Sequence, residues 1–452
     1  MRLFHVALFV LATLPTNGAQ AQAPPETPSR ELPPGSGPEP VAPRAVEGRA
    51  EEWTRLRREQ RATLEPYRAG WLERQLLAIE KAERPGILEI NYKGFYPRVQ
   101  SIASGSRNAI GVRLWHPMID GSGLSAHGSA FYSIAGYQFY DFQVGRVPHA
   151  GKAFPLRSVK GDDVYELGQL GRPDGTHLIL YGSLRHQDYT QLNFFGLGPD
   201  SSVESRTTYR LKDDLFEMVA GYQFSRRLAL TLRAGYLDSS VLPGTLPGFP
   251  PAQDVFDETS APALTRQPDY WLVTGQVFLD LRDEAANPHR GAMLAAQLSR
   301  FEDRKSSGFG YHRLGADARG YIPLGSPQRV LALRAYLARD DADAGSRVPF
   351  YLQEFLGGSH TLRGYDNFRF RGTELLLMQA EYRWEAAPAI ELVLFADAGK
   401  VASEEGELRI SDFRTDWGLG LRFKSFKAVM MRLDVAWSEE GSRVFLRFNP
   451  SF

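Results

Sequence analysis

From about Ile87 to its last residue, this chain switches side-chain polarity at every second position. Val429, Met431, Leu433, Val435 and Trp437 alternate with Met430, Arg432, Asp434 and Ala436. Trp417, Leu419, Leu421 and Phe423 alternate with Gly418, Gly420, Arg422 and Lys424. Near the end, Val444, Leu446, Phe448 and Phe452 share one parity, and Arg443, Phe445, Arg447 and Asn449 the other. Successive side chains of a strand point to opposite faces, so each stretch has one apolar face and one that carries charge or glycine. Such a sheet needs two different surroundings. A soluble sandwich offers a core and water. A barrel in a bilayer offers hydrocarbon outside and a polar lumen inside. The length of the alternating region, the aromatic strand ends and the terminal Phe452 favour the barrel.

Sixteen strands are expected, starting near Ile87, Asn108, Leu124, Tyr137, His177, Thr208, Arg227, Tyr270, Gly291, Phe309, Gln328, Thr373, Ala389, Arg414, Phe426 and Ser442. The links at Ala135-Gly136, Ser225-Arg226 and Gly325-Ser326-Pro327 are short, whereas 148–176, 239–269 and 339–372 are long. Short turns on one rim and long loops on the other characterise a membrane barrel. A closed wall leaves no backbone group unpaired in lipid. The expected fold is all-β: a sixteen-stranded antiparallel transmembrane β-barrel with a short N-terminal helical segment.

The N-terminus reads as an export signal over residues 1–23. Arg2 supplies charge, Leu3 to Leu14 an apolar run too short to span a bilayer, and Ala19 to Ala23 the small residues of a cleavage site. Residues 24–46 form a Pro-rich linker, and 47–85 a periplasmic helical segment interrupted by Pro66 and ended by Pro85-Gly86. The barrel occupies 86–452. Lys+Arg and Asp+Glu number 53 each, so no net field points to nucleic acid. Cysteine is absent, which excludes disulfides, thiolate metal sites and a lipidated cysteine anchor.

Four local patterns coincide in the barrel. Leu362-Arg363-Gly364-Tyr365 lies in the long loop between the eleventh and twelfth expected strands. Gln379-Ala380-Glu381-Tyr382 follows, with Glu381 and Arg383 on the polar parity. Phe395-Ala396-Asp397-Ala398-Gly399 puts Asp397 on the polar parity too. Leu279 to Gly291 carries Asp280 and Arg282 before a Pro-containing turn. Together these resemble the bacterial surface antigen superfamily, the barrels of the BamA and TamA type, over about Ile87 to Phe452. The resemblance implies that the sixth extracellular loop folds back into the lumen. Arg363 would then be a docking arginine, Gly364 and Tyr365 would complete the tip, and Asp397 and Glu381 would be its wall acceptors. Asp280, Arg282, Gly291 and Gly399 would be barrel-motif positions, and Phe452 a C-terminal barrel signal read by assembly machinery. A guanidinium fork suits two carboxylates, and loss of Arg363 would strand both acids. Arg363 is expected to matter more than Arg369 or Arg371 of the same loop. Residues 24–86 leave no room for the βααββ periplasmic (POTRA) repeats of the longer members, so the chain resembles the short, barrel-only branch.

The resemblance implies insertion, translocation or remodelling of protein or lipid at the bacterial outer membrane. The expected partners are outer-membrane lipid and a client protein or lipid. Gly94 and Pro97 interrupt the first strand and Pro450 the last, giving a reason for a weak seam. A plugged structural barrel or narrow pore is the second reading, and a rim-located hydrolase the third. His186 and Asp188 share a strand face, but no Gly-x-Ser-x-Gly occurs, so the chain is expected not to be an enzyme. No cofactor is implied. The histidines lack metal spacing, and Asp213-Asp214 and Asp340-Asp341-Ala342-Asp343 read as solvated loop charge rather than a calcium site.

Overall fold

The structure, a computed structural model, describes Arg55, Glu59 and residues 95–447, except 101, 104, 107, 120–122, 148–177, 226, 285–286, 306–307, 388, 404–411 and 425–428. The chain divides into two compact units, Met1–Arg68 and Ala69–Phe452. In the first, Arg55 and Glu59 are helical and joined by an i,i+4 ion pair of 3.7 Å. The export signal, the linker, the rest of the expected helical segment and Phe452 lie outside the described residues.

The second unit is one antiparallel meander. Its first eight strands are β1 (Phe95–Gln100), β2 (Ala109–Ile119), β3 (Leu124–Ser133), β4 (Gln138–Arg146), β5 (Leu178–Phe194), β6 (Thr207–Gln223), β7 (Leu228–Pro243) and β8 (Asp269–Asp280). Then come β9 (Gly291–Asp303), β10 (Tyr311–Leu324) and β11 (Ser326–Ala342). Two short strands, β12 (Glu354–Leu356) and β13 (Phe370–Gly372), form a separate two-stranded ladder, and Arg371 of β13 also bridges to Gly198. The wall resumes with β14 (Glu374–Ala387), β15 (Ile390–Ala402), β16 (Arg414–Lys424), β17 (Val429–Ser438) and β18 (Gly441–Arg447). Sixteen strands therefore form the wall in sequence order, and β12–β13 is a hairpin inside the sixth loop. Among the described residues no ladder joins β1 to β18.

The two faces of the wall differ as the alternation predicts. Leu392, Leu394, Trp417, Leu419, Val444 and Leu446 are exposed outward, while Asp397, Asp416, Arg422, Arg432 and Asp434 are buried inward. Burying charge is tolerated where partners are built in. Here the lumen face is laced with ion pairs such as Arg233–Glu217 at 2.7 Å and Arg313–Asp340 at 2.6 Å.

Three expectations need correction. Strand parity, not length, decides the rim. The antiparallel order puts the tight Ala135–Gly136 turn on the rim of the long loops after β7 and β11, and the expected loop over 148–176 lies outside the described residues. Second, β7 runs on to Pro243 and β11 to Ala342, where polar outward residues hide the alternation from view in the sequence. Third, Pro97 does not break the first strand. It sits within β1 opposite Val112, and Gly94 and Pro450 lie outside the described residues.

On the loop rim, the third, fourth and sixth loops close over one aromatic cluster. Phe194 lies 4.7 Å from both Phe256 and Phe350, and Tyr209 lies 4.9 Å from Phe350. Leu264, Tyr351 and Phe368 are buried in the same cluster. Stacked and tilted rings of this kind add stability beyond the area they bury.

If the outward face meets hydrocarbon, a charge placed there must be costly. Leu394 is 55% exposed near the middle of β15. Leu394→Arg should destabilise the barrel by about 2–4 kcal/mol in urea unfolding from lipid vesicles. Leu394→Ile should be close to neutral. Equal midpoints for the arginine variant and the parent would place this face in water.

Candidate functional site: a loop locked inside the barrel

The sixth loop leaves β11, forms the β12–β13 hairpin, and sends residues 357–369 into the lumen. Leu356, Leu362, Tyr365 and Phe370 pack in one cluster with wall residues Tyr336, Leu377 and Val401. That apolar contact carries Arg363 to the polar part of the wall, where it is fully buried.

Its guanidinium makes a two-sided fork. Nε and Nη2 each donate to an Asp397 oxygen at 2.7 Å, and Nη1 donates to Glu381 Oε1 at 2.7 Å. The plane stacks on Phe395, with Cζ 3.5 Å from the ring centroid. Bidentate charge-assisted bonds and a cation–π face use every property that separates arginine from lysine. Glu381 is also bonded by Arg383 Nε at 2.8 Å and Arg422 Nη2 at 2.7 Å. Gln379 Nε2 donates to Asp397 at 3.1 Å and to the Thr361 carbonyl at 2.8 Å, tying wall to loop. Asp416 stands directly across the ladder from Asp397.

Gly364 is required by close approach rather than by a left-handed backbone. A Cβ there would lie 2.6 Å from Asp416 Cβ and 2.8 Å from Ser438 Cβ. Tyr365 is buried and donates to the Thr415 carbonyl at 3.3 Å and to Glu439 at 3.4 Å. Gly399 leaves room for the loop, since a Cβ would stand 2.8 Å from Leu356 Cδ1. Arg363, Gly364, Tyr365, Glu381, Asp397 and Gly399 thus meet in one place. Asp280, Arg282 and Gly291 do not join them. They build the turn at the far end of β8, where Arg282 grips Asp280 with two bonds of 2.8 Å. Gly291 there adopts φ +108°, and a Cβ would strike the Leu281 carbonyl at 2.2 Å.

An ionic chain nevertheless links that turn to the lock. His289 Nε2 lies 2.8 Å from Glu385, whose carboxylate also holds Lys424. Lys424 reaches Glu391 at 3.6 Å, Arg422 reaches Glu391 at 3.2 Å, and Arg422 then meets Glu381.

The loop also grips the last hairpin of the wall. Ser438 Oγ donates to the Gly364 carbonyl at 2.8 Å. Arg369 Nε donates to Glu440 at 2.8 Å, and Arg443 Nε of β18 to Asp366 at 2.9 Å. Arg371 is fully buried but held by neutral oxygens, the Tyr209 hydroxyl at 2.8 Å and the Phe350 carbonyl at 3.1 Å.

A match to the Omp85 superfamily domain runs over residues 98–451. The chain belongs to the Omp85 superfamily. No curated protein matches it in sequence. Among solved structures, BamA from Haemophilus ducreyi lacking POTRA domains 1–3 is 16% identical with a TM-score of 0.53, over 88% of this chain and 81% of that one. CdiB from Acinetobacter baumannii is 12% identical with a TM-score of 0.44, over 80% of this chain and 60% of that one. CdiB from Escherichia coli is 12% identical with a TM-score of 0.47, over 79% of this chain and 62% of that one. At such identity the likeness to the BamA chain is one of fold. Omp85 membership makes this a β-barrel protein of the bacterial outer membrane.

The Omp85 lock contains more than the motif residues. Phe395 shares the parity of Asp397 two positions on, so its role as a platform was within reach of the sequence. Arg422, Ser438, Glu440 and Arg443 were not, because strand pairing brings them in. The remaining candidates move apart. His186 pairs with Asp214 of the next strand at 2.7 Å, not with Asp188, which is buried against Arg210 at 2.5 Å. Of the acids expected to be solvated loop charge, Asp340 is instead buried against Arg313 at 2.6 Å, whereas Asp341 and Asp343 stay partly exposed beside Arg339 at 2.7 Å and Arg300 at 2.6 Å.

Removal of Arg363 strands one acid rather than two, because Glu381 keeps Arg383 and Arg422. Arg363→Ala should cost about 3–5 kcal/mol through the uncompensated Asp397. Arg363→Lys should recover little of it. Arg369→Ala and Arg371→Ala, which strand no fully buried carboxylate, should cost less. Equal unfolding midpoints for the three alanine variants would refute this ordering.

His289, in the turn, is held above its ordinary pKa of 6.5 chiefly by its hydrogen bond to Glu385, against burial. Its contribution is therefore full below the unfolded value and is lost as pH rises through the folded one. Amide exchange across 281–290 should quicken over that rise, and His289→Gln should flatten the profile. A wild-type profile as flat as the variant's would remove His289 as the anchor.

Proposed function

We propose that this Omp85 barrel helps to insert, translocate or remodel protein or lipid at the outer membrane, opening at the seam between β1 and β18, and that it works without catalysis. One observation carries the reading: the locked loop is fastened to the β17–β18 hairpin, the end of the wall, through Ser438, Glu439, Glu440 and Arg443. No ladder holds the other edge of β18 among the described residues. An unpaired edge is a template for an incoming strand. The loop then sets how firmly that edge is held, and a client protein or lipid is the partner, with assembly machinery reading the C-terminal strand.

A capped structural barrel or narrow pore is the second reading. The aromatic cluster closing the loop rim favours it. Paired cysteines across β1 and β18 separate the two, in a chain with no cysteine of its own. The full chain in liposomes would be assayed for folding of an added outer-membrane barrel and for transbilayer movement of a labelled phospholipid. Oxidation of the pair should slow one of these at least tenfold, with recovery on reduction. Equal rates in both states, or conductance in planar bilayers unaffected by the crosslink, would leave the capped barrel or pore in its place.

A further inference from the structure

The lock holds a further acid that its guanidinium does not serve. Asp416 is 4% exposed and stands opposite Asp397 in the β15–β16 register. Both of its carboxylate oxygens are buried, and neither accepts a hydrogen bond among the described residues. The groups around it are committed elsewhere. Arg363 gives Nε and Nη2 to Asp397 and Nη1 to Glu381. From β17, the Ser438 hydroxyl goes to the Gly364 carbonyl. The Tyr365 hydroxyl goes to the Thr415 carbonyl and to Glu439, which also pairs with Arg414. The Gly364 amide faces Asp416 but makes no hydrogen bond to it.

One guanidinium thus faces two acids on adjacent strands. A buried carboxylate without a donor is costly, and two carboxyls that share a site resist ionising together. Of the two, Asp397 has the donors, Arg363 and Gln379 Nε2. Among the described residues no three acids or histidines converge to hold a metal ion. A proton is the counter-charge that fits Asp416, because it needs no room of its own.

We propose that Asp416 is held as the neutral acid, shares its proton with Asp397, and releases the loop tip when that proton leaves. The tip rests on this side chain, since a Cβ on Gly364 would lie 2.6 Å from Asp416 Cβ. Ionised Asp416 repels Asp397 and draws Arg363 away from it. Water reaches the new charge only if the tip withdraws. The proton passes to solvent in that step and returns when the tip docks. The locked barrel therefore binds one proton more than the released one, so acid favours the lock and alkali loosens it. Asp416 is a positioning residue of the lock, and this role stands whether or not the seam opens.

The test is hydrogen–deuterium exchange of the full chain in lipid nanodiscs. It is read as the protection of amides 359–366, corrected for the intrinsic pH dependence of exchange. Protection in the parent should fall about tenfold per pH unit wherever the locked form keeps the proton and the released form does not. Asp416→Asn keeps the shape, cannot ionise, and should give a level profile. Asp416→Ser, smaller and also neutral, should be level too and serves if the asparagine variant fails to fold. His289 reaches the lock through the ionic chain from the β8–β9 turn and weakens with rising pH in the same direction. His289→Gln should therefore leave the slope in place. A level parent profile between about pH 5 and about pH 9 would overturn the proposal. So would a slope that survives both neutral substitutions of Asp416, or one that vanishes in His289→Gln, since either would assign the proton to another group.

Discussion

Arg363 brings one cation to two carboxylates on neighbouring strands, deep in a wall that water barely reaches. Taken alone, each partner would be expensive to bury. Together with Arg383, Arg422 and Gln379 they satisfy one another, and the aromatic face of Phe395 fixes the plane of the guanidinium. The long sixth loop can lie inside the barrel because this network offers it a better partner than solvent does. Gly364 and Gly399 supply the clearance, and Leu362 and Tyr365 the apolar contact that guides the tip.

From that anchor the loop reaches three other parts of the molecule. It supplies Phe350 and Phe368 to the aromatic cover of the loop rim. It holds the β17–β18 hairpin through a series of polar contacts. Through Glu381 it is joined to an ionic chain ending at His289 in the β8–β9 turn. Breaking a buried pair in such a network costs more than its mean strength suggests, because the remaining charge is left without compensation. The lock is thus a stability element that also holds the β17–β18 hairpin at the end of the wall.

The wall itself follows from a simpler constraint. A strand that spans a bilayer must satisfy its backbone on both sides and present hydrocarbon to lipid. The outward leucines and tryptophans meet the second need, and the successive ladders from β1 to β18 meet the first. Where β5, β6 and β7 rise beyond the apolar band, the outward face turns to His186, Asp214 and Asp238. The same strands therefore serve two environments along their length.

Much of this was legible in the sequence. Period-two alternation is a local property of the extended chain, so residues such as Val435 and Asp434 declare their faces without reference to any neighbour. The Arg-Gly-Tyr tip and its acids were legible as well, because Glu381 and Asp397 sit on the polar parity in recognisable local patterns. Strand pairing was not legible, since register is set between segments far apart in the chain. Pairing alone put Asp214 rather than Asp188 beside His186, and gave Glu381 two further arginines. It also set Asp416 against Asp397 and decided that the loop would grip Ser438, Glu440 and Arg443. The sequence by itself determined which side chains face lipid and which face the lumen. Only the tertiary structure decided which charges meet there, because that depends on how each strand slides against the next.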